Sequence, residues 1–191
     1  MSTSVQPRLD TWSVRYIVRT MGPLLLVLSV LEMGSGMVIE ALESTYLENP
    51  VLLVMVPVMI GMGGNLGAIV ASRLSTRLHL GTLTFDPREE PLRSTVLAIV
   101  AIALTVFTLL ALLAYAIGHL LGAPMAFSAL ATISLVSGLS LAVIALGLAI
   151  GVTWLSYRRG FDPDDVTIPV VTNLCDILGV VILSAVSLAV L

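Results

Sequence analysis

The sequence predicts an all-α membrane protein with five transmembrane helices, and three observations support this prediction. Of the 191 residues, 58% are hydrophobic and only 11% are charged, whereas a soluble domain has roughly 25% charged residues. The apolar residues form five long blocks, and a block of about 18 or more is typical of a membrane-spanning helix. All nine basic residues are arginine, and they fall between these blocks in a one-sided pattern.

The five blocks predict five helices within a single domain. Their bounds are about 14–42, 51–72, 95–117, 125–157 and 166–191. Each block reaches the roughly 20 residues that a helix needs to cross the hydrocarbon layer. Helices are expected because a backbone in lipid must satisfy its own hydrogen bonds. Residues 72–83 keep helical spacing, so the second helix either extends into the cytoplasm or lies along the interface.

The arginines predict the orientation of the chain. In a five-helix arrangement they lie before the first helix, between the second and third, and between the fourth and fifth: Arg8, Arg15, Arg19, Arg73, Arg77, Arg88, Arg93, Arg158 and Arg159. Cytoplasmic loops carry the excess of positive charge. We therefore expect a cytoplasmic N-terminus, an outside C-terminus and a multi-pass protein of the cell membrane. No cleavable signal is recognisable, so the first helix is expected to stay attached.

Three acidic residues lie inside predicted helices, where acids are rare. Glu32 is near the middle of the first helix, Glu40 is in its outer half, and Asp176 is well inside the fifth. Such residues usually face a bundle interior or a watery cavity. No arginine lies at matching depth, so the partner must be a proton, a helix dipole, water or a cation. Two alternatives stay open: a solvated Glu40 near the interface, and a protonated Glu32 bonded to a neighbouring helix.

Helical spacing groups these acids with other small and oxygen-bearing residues. Asp176 shares a face with Thr172 and Asn173, and Glu32 shares one with Gly36, Glu40 and Glu43. One face of the second helix carries Pro57, Gly61, Asn65, Ala68 and Ser72. Oxygen ligands suit hard cations such as Mg²⁺ and Ca²⁺. No Cys or His lies at a spacing suited to metal binding, which disfavours zinc or copper. The glycines of the second helix also have the simpler interpretation of close helix packing.

The segment before the fifth helix has the composition of a helix start. It reads Asp162-Pro163-Asp164-Asp165. Aspartate suits an N-cap, proline suits the first turn, and acids there complement the helix dipole. Helix capping is one explanation for Asp162 and Asp164, and Asp162 and Asp165 are also candidate site residues.

Three segments together resemble the MgtE-type magnesium transporters, and especially their eukaryotic solute-carrier relatives. Residues 56–67, VPVMIGMGGNLG, followed by ASRLST at 71–76, resemble the P-x-x-x-G-x-x-G-N core of that family's second helix. DPDDVTIP at 162–169, ending in Asp176, is similar to the segment that opens the family's last helix. GMVIE at 36–40 resembles a first-helix segment, with Glu40 in place of aspartate.

The resemblance implies a five-helix unit that works as a pair, and for this half-size chain a homodimer. It implies a pore lined by the second and fifth helices, with Asp176 facing the ion and with Gly64 and Asn65 close to it. Bacterial members carry a large cytoplasmic sensor region, whereas only a short segment precedes the first predicted helix here. We therefore expect a unit without a sensor domain. The apolar residues 66–69 after Asn65 also depart from the bacterial pattern.

The functional hypothesis is transport of a divalent cation, Mg²⁺ first and Mn²⁺, Co²⁺ or Ca²⁺ as alternatives. The expected partners are the lipid bilayer, the cation and a second copy of the chain, with no nucleic acid. The expected ligands are Asp176, Asn65, Gly64, Glu40, Asn173, Thr172 and Glu32. Two other functions stay open: sodium- or proton-coupled exchange, and a non-transporting assembly subunit. An enzyme is not expected, because no nucleophile–base set or phosphate loop is recognisable.

Overall fold

The computed structural model describes residues 13–82 and 90–191 of the chain. It contains six α-helices: α1 (Val14–Ala41), α2 (Glu43–Glu48), α3 (Pro50–His79), α4 (Glu90–Leu120), α5 (Phe127–Arg158) and α6 (Pro163–Val190). No strand occurs among these described residues. The five long helices correspond in order to the five predicted apolar blocks.

The five long helices α1, α3, α4, α5 and α6 are all long and apolar enough to cross a membrane. They contain 28 to 32 residues each. At about 1.5 Å per residue they exceed the roughly 30 Å of the hydrocarbon layer. The prediction of an all-α fold with five helices long and apolar enough to cross a membrane is confirmed for the described residues, and the protein is a multi-pass membrane protein.

Several helices extend beyond the apolar blocks that predicted them. Helix α3 continues past residue 72 to His79, in agreement with the helical spacing noted there, and α4 begins at Glu90 rather than near residue 95. These extra turns carry polar and charged side chains, including Arg73, Arg77 and Arg93. Hydropathy marks only the part of a helix that lies in lipid, so it underestimates a helix whose ends reach the interface.

Helix α6 is the centre of the bundle. It packs against α3, α5 and α1, whereas α4 packs mainly on α5. Its buried side chains include Val171, Val180 and Leu183. No residue of α6 from 165 to 180 is classed as exposed, so this half of the helix is shielded by its neighbours within one chain.

Helix α1 lies at the edge of the bundle. Among the described residues it packs only against α6 and α2. Its outer face carries large apolar side chains that are about seven-tenths exposed, such as Leu26, Val30, Met33 and Met37. Apolar exposure on this scale is expected of a surface that faces lipid.

The short helix α2 follows α1 and was not predicted from the sequence. Tyr46 in α2 is fully buried, and its hydroxyl lies 2.7 Å from the Ser184 hydroxyl of α6. The Asn49 amide nitrogen donates to the Thr45 carbonyl oxygen at 3.1 Å, and Pro50 then opens α3. Helix α2 therefore connects α1 to α3 where the chain reverses direction, and its contact with Ser184 holds it against α6.

The helix ends place α6 beside the polar end of α3. After α5, Gly160 has a φ of +72°, a conformation that glycine adopts without strain. The chain then reverses within a few residues and starts α6 at Pro163, directly after Asp162. Asp162 Oδ1 lies 3.8 Å from Nε2 of His79 at the end of α3. Both aspartate positions expected at the start of the fifth helix, Asp162 and Asp165, therefore lie at this end of the bundle.

Candidate ion site

Glycines bring α3 and α6 into close contact. A methyl group placed on Gly63 would lie 3.2 Å from the carbonyl oxygen of Cys175, and one on Gly67 would lie 3.5 Å from the Cys175 sulfur. On α6, a methyl group on Gly179 would lie 3.2 Å from the carbonyl oxygen of Met59. Small residues let two backbones approach in this way. The packing interpretation therefore holds for Gly63 and Gly67.

Gly64 lies directly against Asp176 within this contact. A methyl group on Gly64 would be 2.9 Å from Asp176 Oδ1 and 2.8 Å from Thr172 Cγ2. Both distances are below an ordinary van der Waals contact, so no other residue fits at position 64 without moving the carboxylate or the threonine. This contact between α3 and α6 brings together three of the seven predicted ligands, Gly64, Thr172 and Asp176.

The Asp176 carboxylate lacks a partner among the described residues. Its Oδ1 atom is buried and accepts no hydrogen bond. Helix α1 brings Glu32 close enough for the two negative charges to interact, and Glu32 is itself half-buried. A buried acceptor without a partner costs about 1–3 kcal/mol, and more when it is charged. This site therefore favours a bound cation or a proton.

The proximity of Glu32 to Asp176 is the main feature that the sequence did not predict. Helical spacing assigned each acid to a face of its own helix but did not indicate which helices would be neighbours. The one available signal was depth, since both acids lie near the middle of their spans.

Asn65 lies on the open side of α3. Four residues of one helical face are exposed in the single chain: Pro57, Gly61, Asn65 and Ser72. The Asn65 carboxamide makes no hydrogen bond within the described part of the chain. A methyl group on Gly61 would meet no atom within 4 Å. Helix α3 therefore presents a small, polar and uncovered surface beside Gly64.

Thr172 and Asn173 have limited freedom to act as ligands. Thr172 turns its methyl group, Cγ2, toward Gly64. The Asn173 side-chain nitrogen donates to the Pro169 carbonyl oxygen at 3.0 Å. Only the amide oxygen of Asn173 and the hydroxyl of Thr172 are then available to a cation.

Glu40 belongs to a different cavity. Together with Glu43 it lines a space of about 420 Å³ between α1, α2 and α3, to which Tyr46 and Leu53 also contribute. Glu40 is eight residues beyond Glu32, which is about 12 Å along a helix. Glu40 therefore lies about two helical turns beyond Glu32 and not beside Asp176.

The described residues contain no group of three or more His, Cys, Asp or Glu side chains that could hold a metal ion together. One chain thus supplies two carboxylates near the bundle centre, Asp176 and Glu32. A hard cation requires about six oxygen ligands. Water, backbone oxygens or a second copy of the chain would have to provide the others.

Comparisons with known proteins match the part of the chain that carries this geometry. The family model described as MgtE, divalent cation transporter, matches residues 56–186, which include Gly64, Asn65 and Asp176. Solute carrier family 41 member 3 of Rattus norvegicus is 35% identical over 145 residues, covering 71% of this chain. Solute carrier family 41 member 2 of Mus musculus is 31% identical over 178 residues, covering 78% of this chain. The matches span 30% of each relative's length. Since the family model covers well over half of its residues, the chain belongs to the MgtE family.

Proposed function

We propose that this protein transports divalent cations, Mg²⁺ above all, along a path between two copies of the chain. The observation that carries the proposal is the Asp176 carboxylate. Asp176 is half-buried in the central helix, its buried Oδ1 atom has no hydrogen-bond partner among the described residues, and it lies against a glycine on the neighbouring helix. Membership of a family described as divalent cation transporters supports the same conclusion.

The chemistry around Asp176 suits a hydrated divalent cation. Mg²⁺ requires octahedral oxygen coordination and gives up its water reluctantly. The Asp176 carboxylate and the nearby Glu32 supply negative charge without a compensating arginine. A carboxylate that acts through retained water attracts the ion without holding it so tightly that it cannot leave.

A second copy of the chain would complete the site. The uncovered α3 surface of Pro57, Gly61 and Asn65 lies beside Gly64, and the Asn65 carboxamide makes no hydrogen bond with the described residues. A polar side chain that faces lipid is unfavourable, whereas small residues and a carboxamide suit a helix–helix interface. A twofold axis along this surface brings a second Asp176 toward the path and covers Asn65.

The ends of the path differ in charge. Glu40 and Glu43 line the cavity at one end, where their field concentrates cations. The arginines lie at the other end, which we assign to the cytoplasm by the positive-inside rule. An inside-negative potential then drives the ion inward with about 4.6 kcal/mol for a divalent ion at 100 mV.

Magnesium flux into liposomes tests this function. We expect the purified protein to take up Mg²⁺ under an inside-negative potential, without a sodium or proton gradient. Asp176→Ala should slow the initial uptake about tenfold or more, which corresponds to about 1.4 kcal/mol in the barrier. Glu48→Gln, an exposed carboxylate of α2 outside the site, serves as the matched control and should keep the wild-type rate.

Proton-coupled exchange is the second candidate, and the proximity of Glu32 to Asp176 favours it. A proton on either carboxylate would lower the negative charge at the site, so proton binding and cation binding there would compete. An exchanger would take up Mg²⁺ only after a proton gradient is added, and Glu32→Gln would abolish the coupling. A protein that takes up no Mg²⁺ under any gradient would contradict both transport mechanisms. The non-transporting assembly subunit would then be the remaining function.

A further inference from the structure

A polar groove lies between the last turns of α3 and the first turns of α4, away from Asp176. Its volume is about 360 Å³. The residues that line it are Ser72, Arg73, Thr76, Arg77, Pro91, Ser94 and Thr95. None of them is acidic. The groove lies at the end of the bundle that carries the arginines, where the helices leave the hydrocarbon layer.

Two arginines of the same helical face, Arg73 and Arg77, line this groove. Arg73 and Arg77 are one helical turn apart, a spacing at which like charges repel each other. Neither forms an ion pair with a carboxylate within residues 13–82 and 90–191. An anion between them would relieve this repulsion. Arginine is suited to a phosphate group, because its planar donors bind two oxygens at once.

Most hydroxyl groups of the groove already donate to backbone carbonyl oxygens, so the guanidinium groups are the main hydrogen-bond donors that remain for a ligand. Thr76 donates to the Ser72 carbonyl oxygen at 2.9 Å, and Ser94 and Thr95 both donate to the Pro91 carbonyl oxygen, at 3.0 and 2.9 Å. The Ser72 hydroxyl makes no hydrogen bond within the described chain, so it is available as a further donor. The groove therefore offers donors and positive charge to a ligand rich in acceptor oxygens.

Apolar side chains continue from the groove toward the membrane. Ile69, one turn before Arg73, is 41% exposed, and Leu97, three residues after Ser94, is 59% exposed. A ligand with a phosphate at the arginines can thus lay a hydrocarbon chain along the outer faces of α3 and α4. Basic pockets between transmembrane helices on the cytoplasmic side are suited to anionic lipid headgroups.

We propose that this groove binds the phosphate of an anionic phospholipid through Arg73 and Arg77, with an acyl chain along Ile69 and Leu97. This site is distinct from the ion path and does not depend on the transport proposal. The lipid would hold the cytoplasmic ends of α3 and α4 together.

To test the site, the protein is reconstituted in vesicles of phosphatidylcholine and phosphatidylglycerol and then transferred into detergent. Native mass spectrometry then measures which lipid stays bound. We expect the wild type to retain one phosphatidylglycerol per protomer. The double variant Arg73→Gln, Arg77→Gln should lose it. The matched control Arg158→Gln, Arg159→Gln removes two arginines at the same end but outside the groove, and it should retain the lipid.

Three outcomes would overturn the proposal. Equal loss of lipid in both double variants would show general attraction of the basic end. Failure of the wild type to retain phosphatidylglycerol would exclude a tight site. Full displacement by free glycerol phosphate, at concentrations that match the lipid, would make a soluble phosphate the ligand. The double variant Arg73→Lys, Arg77→Lys keeps the positive charge and should retain part of the lipid. It thereby separates the loss of charge from misfolding as the cause of lipid loss.

Discussion

Gly64 and Asp176 show how one missing side chain shapes the site. The carboxylate oxygen occupies the space that any Cβ at position 64 would take, with only 2.9 Å between them. Glycine in a helix costs about 1 kcal/mol relative to alanine, so this position gives up helix stability to admit a carboxylate. The same residue allows Thr172 of α6 to approach α3.

We therefore expect Gly64→Ala to destabilise the protein, although alanine favours helices. Overpacking of this kind costs about 1–3 kcal/mol, which outweighs the roughly 1 kcal/mol gained in propensity. The melting temperature in detergent should fall, and Mg²⁺ uptake should fall with it. The control is Gly147→Ala on α5, where an added methyl group meets nothing within 4 Å. A rise in melting temperature for both variants would contradict the close contact.

The sequence was enough to select the site residues whose chemistry is unusual in a membrane helix. An acid in a lipid-spanning helix is costly wherever it lies, so Asp176 and Glu32 stood out without any structure. Their proximity did not, because it depends on how α1 packs against α6. Gly147 and Gly151 have the same spacing as Gly63 and Gly67, yet a methyl group on either would meet no atom within 4 Å. Spacing alone cannot distinguish a packed glycine from an open one.

At the scale of elements, the long helices were predictable and the short one was not. Twenty apolar residues in lipid leave the backbone little choice but a helix. Helix α2 has only six residues, fewer than two turns, and an isolated helix of this length is unstable in water. Its position is set by tertiary contacts, above all by Tyr46, whose side chain is 2% exposed.

The hydrogen bond between Tyr46 and Ser184 should hold α2 on α6. Tyr46→Phe leaves the Ser184 hydroxyl buried without this partner, and we expect a loss of about 1–2 kcal/mol in stability. Ser184→Ala should cost a similar amount, and the double variant should cost less than the sum. Unfolding of the single and double variants in detergent provides the measurement. Additive losses would mean that the two hydroxyls do not stabilise each other.

At the scale of the whole molecule, one chain has an incomplete ion site and an uncovered polar face. The central helix α6 is shielded by three neighbours, but α3 is open along Pro57, Gly61 and Asn65. The proposed homodimer would account for both observations, because a second copy would cover this face and add carboxylates to the proposed path. Large apolar side chains cover the outer face of α1, so the same requirement does not arise there.

Cysteine cross-linking tests the position of this interface. In a Cys175→Ser background, Gly61→Cys and Asn65→Cys place thiols on the uncovered face of α3. A disulfide requires Cα atoms about 4.4–6.8 Å apart, so mild oxidation in membranes should give covalent dimers only where the face meets its copy. Val143→Cys on α5, 63% exposed, is the control and should stay monomeric, because it lies on a different helix and faces lipid. Equal cross-linking at all three positions would indicate random collision, and dimers through Val143→Cys alone would move the interface to α5 and leave Asn65 without its proposed partner.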